Sequence, residues 1–140
     1  MKGVWNWSRI AGTVLHVLVG ALMLFACSGK AFGFAPPQVV SMLTEAGLGD
    51  YIRIIGAGGL VGAILLLVPR TTALGALAVS AYWGGAICLH MARHEPYVLV
   101  SVLLLLTWAG AVLRRPEVYL GVSPEGVARR EPAINAVLSA

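Results

Sequence analysis

Apolar residues run through this chain in four long blocks, and polar residues are confined to the joints between them. The blocks cover 10–27, 51–68, 71–91 and 97–113. About 30 Å of hydrocarbon needs about 20 helical residues, so each block has the length of a membrane span. Within a bilayer every backbone N–H and C=O must be satisfied inside the segment, which predicts four transmembrane helices. The joints carry helix punctuation. Pro69-Arg70-Thr71-Thr72 reads as a tight hairpin with Thr71 or Thr72 as N-cap, Asp50 as a cap for the second span, and Pro96 as the first turn of the fourth. Short connections make neighbours antiparallel, so the expected architecture is an all-α, up-down-up-down four-helix bundle in a single domain over 1–140.

The loop Ser28–Asp50 has structure of its own. Gly33-Phe34-Ala35-Pro36-Pro37 breaks the chain, after which Val39, Val40, Met42 and Leu43 recur at a roughly helical period. This predicts a short helix over Pro37–Ala46 lying on the membrane interface, ended by Gly47. The tail, 116–140, is interrupted by Pro124, Gly126 and Pro132 and is too broken to span. Leu24-Phe25-Ala26-Cys27 resembles the end of a lipoprotein signal, but Phe25 fits that pattern poorly and three spans follow, so it is read as the end of the first span.

Composition agrees: 59% of residues are apolar and 11% charged. The net charge of +4 does not point to nucleic acid, because the basic residues sit at span ends. Lys2, Arg9, Arg70, Arg114, Arg115, Arg129 and Arg130 fall on one side of the membrane, and Lys30, Arg53 and Arg93 on the other. That asymmetry places both termini in the cytoplasm. No P-loop, dinucleotide fingerprint, zinc ribbon or nucleophile elbow is present, and no catalytic residue is assigned.

The residues able to carry chemistry are few. Cys27 and Cys88 each lie eighteen residues beyond an inner arginine, Arg9 and Arg70, so both reach about 27 Å up their helices. Equal height makes them a candidate thiol pair, against the alternative of two separate packing cysteines. His16 lies about 10 Å up, within the hydrocarbon, where an ionisable group is a functional candidate. Thr107 counts to the same depth and is its candidate partner; a neutral histidine bonded to a neighbouring carbonyl is the favoured reading. His90 and His94 stand four residues apart, but Pro96 disfavours helix at Glu95 and no third ligand is evident, so no metal site is assigned. A bis-histidine haem within one copy is excluded, because His16 and His90 differ in depth by about 20 Å. Gly58 and Gly62 form a G-x-x-x-G pair, and Gly12, Gly20, Gly75, Gly84 and Gly85 add small faces elsewhere; Gly58, Gly62, Gly84 and Gly85 are the expected helix-packing positions.

Several segments together resemble the DoxX-like family of small four-span membrane proteins. They are Gly29-Lys30 after the first span, Val68-Pro69-Arg70 closing the second, Trp83-Gly84-Gly85-Ala86-Ile87-Cys88-Leu89-His90 ending the third, and Trp108 before Arg114-Arg115-Pro116. The family's second span often carries an acidic residue; the matching run here is Gly56-Ala57-Gly58-Gly59-Leu60. The resemblance implies a bacterial inner-membrane protein linked to redox metabolism, since the namesake resembles a membrane subunit of a thiosulfate:quinone oxidoreductase. The expected function is a non-catalytic accessory subunit of a larger respiratory or photosynthetic complex. The alternative is a quinone-linked oxidoreductase subunit. Lys30 and His90 are carried over from the family; with Arg53 they are expected to form a polar pocket under the Pro37–Ala46 helix, with quinone as the only cofactor in view. Expected partners are lipid, other membrane subunits or further copies of the chain.

Overall fold

The computed structural model describes residues 2–115, with side chains from residue 7 onward; the tail 116–140 lies outside the described residues. The described residues are helical and contain no strand. The elements are α1 (Lys2–Phe32), α2 (Pro37–Glu45), a 3₁₀ turn (Gly49–Tyr51), α3 (Ile52–Leu67), α4 (Thr72–Ala92) and α5 (Val98–Arg114). Three stretches, Trp7–Phe32, Gly49–Leu67 and Thr72–Ala92, are long and apolar enough to cross a membrane, and Val98–Arg114 is a shorter apolar helix.

The largest departure from expectation is the length of α1. The helix does not stop at Cys27 but continues through Ser28–Phe32, so Lys30 stands on its last turn rather than in a loop. Ser28 is accommodated because its hydroxyl donates to the Phe25 carbonyl at 2.8 Å. The helix stops at Gly33, whose φ of +85° returns the Phe34 N–H to the Gly29 carbonyl at 2.7 Å. Helix α2 ends at Glu45, one residue short of the expected Ala46, and is closed the same way by the left-handed Gly47. Helix α4 uses the same C-terminal turn with a histidine where glycine is usual. His94 has φ +56°, its N–H bonds the Met91 carbonyl at 3.1 Å, and the Glu95 N–H returns to the His90 carbonyl at 2.9 Å.

Two expected N-caps are replaced by other contacts. Thr71 and Thr72 do not cap α4; their hydroxyls donate backwards to the Leu65 and Val68 carbonyls at 2.9 and 3.0 Å, fastening the end of α3. Asp50 makes no cap either, because α3 is entered through the 3₁₀ turn, whose Tyr51 N–H bonds the Leu48 carbonyl at 3.0 Å.

Helix α1 packs on α3 and α5, and α4 packs on the same two, so the four long helices close in a ring. The core is made by Val19, Met23 and Cys27 of α1, Ala63 and Leu66 of α3, Ala76, Val79 and Trp83 of α4, and Val100 and Ala111 of α5. Leu18, Phe25, Ile54, Leu74, Leu77, Leu99 and Leu105 point outward, a surface suited to lipid rather than water. Lipid is as apolar as the core, so close van der Waals approach rather than hydrophobic drive holds such helices together. Glycines provide that approach. A Cβ on Gly75 would fall on the Leu65–Leu66 backbone of α3, one on Gly56 on the Lys30–Ala31 backbone of α1, and one on Gly12 on α5 beside Arg114. The expected pair is corrected here. Gly62 packs on Ala78 and Val79, but Gly58, Gly84 and Gly85 have open space beside them. The faces that meet α1 and α4 are set by Gly56, Gly59, Gly62 and Gly75.

Candidate functional site

The open space beside Gly58 and Gly85 belongs to a cavity of about 560 Å³ between α3 and α4, roofed by Val39, Met42 and Leu43 of α2. It exists because its walls are short: Gly58 and Gly59 on α3 face Ala78, Ala81, Gly85 and Ala86 on α4. The volume is within the usual range for small-molecule sites. Its polar groups are few. Lys30 of α1 lines it, with Nζ 5.4 Å from the centroid of the Tyr82 ring, a cation–π distance. Tyr82 packs edge-on against Trp83, with centroids 5.3 Å apart. Cys27 meets Gly59, which closes the wall toward α1. Among the described ion pairs none involves Lys30.

The expected polar pocket under α2 is therefore a largely apolar one, and of its three expected residues only Lys30 lines it. Arg53 is exposed on α3, outside the lining. His90 faces the turn after α4, where its Nδ1 stands 3.2 Å from Glu95 Oε2 without hydrogen-bond geometry. The reason is the left-handed turn at His94, which folds Glu95 back beneath His90. His94 itself is exposed and does not share a helical face with His90, which separates the two histidines.

An ion-pair cluster that was not among the expectations holds α2 in place. Arg93 donates from Nε to Glu95 Oε1 and from Nη2 to Glu45 Oε2, both at 2.8 Å, and from Nη1 to the Met42 carbonyl at 3.4 Å. The carboxylates of Glu45 and Glu95 raise the arginine further above its ordinary value, and hydrogen bonding to Arg93 lowers Glu95 below the usual carboxylate range. A signal was present: Glu45, Asp50 and Glu95 are the acids between the first and fourth spans, at the same end as Lys30, Arg53 and Arg93.

The two thiols are not joined. Cys27 is buried in the core and Cys88 is exposed on α4. Equal height along the helices leaves their facing free, and they face differently. His16 is fully buried, its Nε2 3.3 Å from the Thr107 carbonyl and its ring against Gly110; the Thr107 hydroxyl is used on its own helix, donating to Leu103 at 2.8 Å. Among the described residues no group of three or more histidine, cysteine or acidic side chains is placed to hold a metal.

Fold and cavity together define a small membrane protein, helical over the described residues, with bilayer-length apolar helices and an apolar cavity bordered by the Lys30 amine. A family model described as the DoxX-like family matches residues 14–112, and the chain belongs to that family. The match takes in all the elements that line the cavity. No curated protein and no solved structure matches the chain.

Proposed function

We propose that this protein is a non-catalytic accessory subunit of a larger membrane redox assembly, and that it contributes a cavity for an amphiphile drawn from the bilayer. The observation that carries the reading is the cavity beneath α2, apolar on all sides except at Lys30 and Tyr82. Such a lining suits a molecule with an apolar body and one polar end. Quinone is the ligand that the family suggests, and Tyr82 and Lys30 could each donate to a quinone carbonyl. In this reading the four long helices form an up-down-up-down bundle in a bacterial inner membrane. Both termini are cytoplasmic, and α2 rests on the opposite interface, tied there by Arg93.

Two measurements test the proposal. Native mass measurement after mild solubilisation should give a stoichiometric complex with a larger membrane partner; a monomer or a pure homo-oligomer under all mild conditions would refute the accessory role. Solvent extraction of the purified material should release a bound amphiphile, and Gly58→Leu, which fills the cavity from an open position, should reduce it. Turnover of a quinone by the isolated chain would favour the oxidoreductase reading instead.

A further inference from the structure

A second cavity, of about 490 Å³, lies on the other side of Lys30. It follows α1 from Leu22 to Phe32 and passes under the turn at Phe34 and Pro36. Lys30 and Val39 border both cavities and divide them. Both run from the α2 end toward the middle of the molecule. Along α1 the second cavity covers about 15 Å, and along α4, from Leu89 to Ala78, the first covers about 16 Å. An apolar cavity and an open apolar groove of similar length thus descend side by side from one ammonium group.

The charges at this end make that ammonium distinctive. Arg93 is engaged by Glu45 and Glu95, and Arg53 borders neither cavity. Lys30 has the Tyr82 ring beside it and no carboxylate among the described ion pairs. A cation in an apolar wall is stabilised by a counter-charge, which a neutral ring does not supply. The complement is one anionic head bearing two chains. We propose that Lys30 holds the phosphate of a single diacyl phospholipid of net negative charge, one chain in each flanking cavity.

This rests on the reading of the α2 cavity as an amphiphile site, and it is tested apart from that reading. Delipidated protein is titrated with dioleoyl phosphatidylglycerol, dioleoyl phosphatidylcholine, sodium oleate and a decyl-tailed benzoquinone, and adducts are counted by native mass measurement. One phosphatidylglycerol should bind per chain, preferred over phosphatidylcholine by about tenfold, the scale of one charge-assisted contact. Lys30→Gln should bring that ratio close to one, and Lys30→Arg should preserve it. If Lys30→Gln does not fold, the wild-type ratio and Gly58→Leu decide: the latter should weaken phosphatidylglycerol binding with the fold intact. Equal binding of the two phospholipids to wild type would overturn the proposal, as would an unchanged ratio in Lys30→Gln or oleate competing as well as phosphatidylglycerol. Tight benzoquinone binding that ignores Lys30 and excludes phospholipid would overturn it while leaving the amphiphile site standing. No binding of any probe would remove both.

Discussion

Adding one methyl group should have opposite effects at two glycines of this bundle. At Gly75 a Cβ would fall on the backbone of Leu65 and Leu66. Backbone has no alternative rotamer, so α3 and α4 must move apart. Overpacking of this kind costs about 1–3 kcal/mol, and the upper end applies where the obstacle is main chain. Alanine returns about 1 kcal/mol of helix propensity, leaving Gly75→Ala destabilised by about 2 kcal/mol. At Gly58 nothing lies within 4 Å of the added methyl, so the same substitution keeps only the propensity gain, about 1 kcal/mol. Helices of this type are held by close contact rather than hydrophobic drive, which makes a forced separation hard to compensate elsewhere. Thermal unfolding in detergent, followed by tryptophan fluorescence, should lower the midpoint of Gly75→Ala by several degrees and raise that of Gly58→Ala by a smaller amount. A Gly75→Ala protein as stable as wild type, or a Gly58→Ala protein less stable, would refute the assignment of close contact to one glycine and open space to the other.

Alkylation of the native protein with N-ethylmaleimide should add one adduct, at Cys88, and a second at Cys27 only after denaturation; intact mass gives the count, and two native adducts would contradict the burial of Cys27. His94→Gly should stabilise the protein by about 1 kcal/mol, since the left-handed conformation at φ +56° is strained for a residue with a Cβ, and an unchanged or lowered unfolding midpoint would show that His94 makes a compensating contact. The Glu95 carboxyl is lowered in the folded state by its hydrogen bond to Arg93, so the ion pair contributes fully above the ordinary carboxylate value near 4.5 and is lost as pH falls below it. Protection of the α2 amides, corrected for the intrinsic chemical rate, should therefore hold from neutral pH down to about 4.5 and fall away below that, as pH passes through the lowered value of Glu95. Arg93→Gln should show the reduced protection already at neutral pH, and no difference between the two proteins would mean that Arg93 does not hold α2.

What the sequence disclosed and what it hid divide along a physical line. The positions of the long helices were legible because the end of an apolar run is marked by charge, glycine or proline, and Arg70, Arg93 and Arg114 supply those marks locally. The turns at Gly33 and Gly47 were legible for the same local reason, and α2 between them followed from its period. Facing was not legible. In water a helix shows its core side by contrast with a polar side. Here both the lipid side and the core side are apolar, so nothing distinguishes Gly58, which faces a cavity, from Gly59, which faces Cys27. Counting from the arginines gave Cys27 and Cys88 a common height and could give no more. The extension of α1 through Lys30 was hidden because Gly29 and Lys30 read as exit signals, although the helix is stopped only by the left-handed Gly33. The tie from Arg93 to Glu45 spans 48 residues and depends on how α2 lies, which no local pattern encodes.

The placement of small residues bears on what the α2 end is for. A glycine within a helix costs about 1 kcal/mol relative to alanine. At Gly56 and Gly75 the fold uses the missing side chain to bring backbones together, and at Gly59 it makes room for the Cys27 and Tyr82 side chains, as the Cβ contacts require. At Gly58 and Gly85 no such contact exists, and the space goes to the cavity instead. The same region carries a lysine in the wall and a roof, α2, which buries Leu43 and is fixed at its far end by a cluster of ion pairs. Space, cation and separately anchored roof occur together at one end of the molecule, and the proposal of an amphiphile site rests on that coincidence.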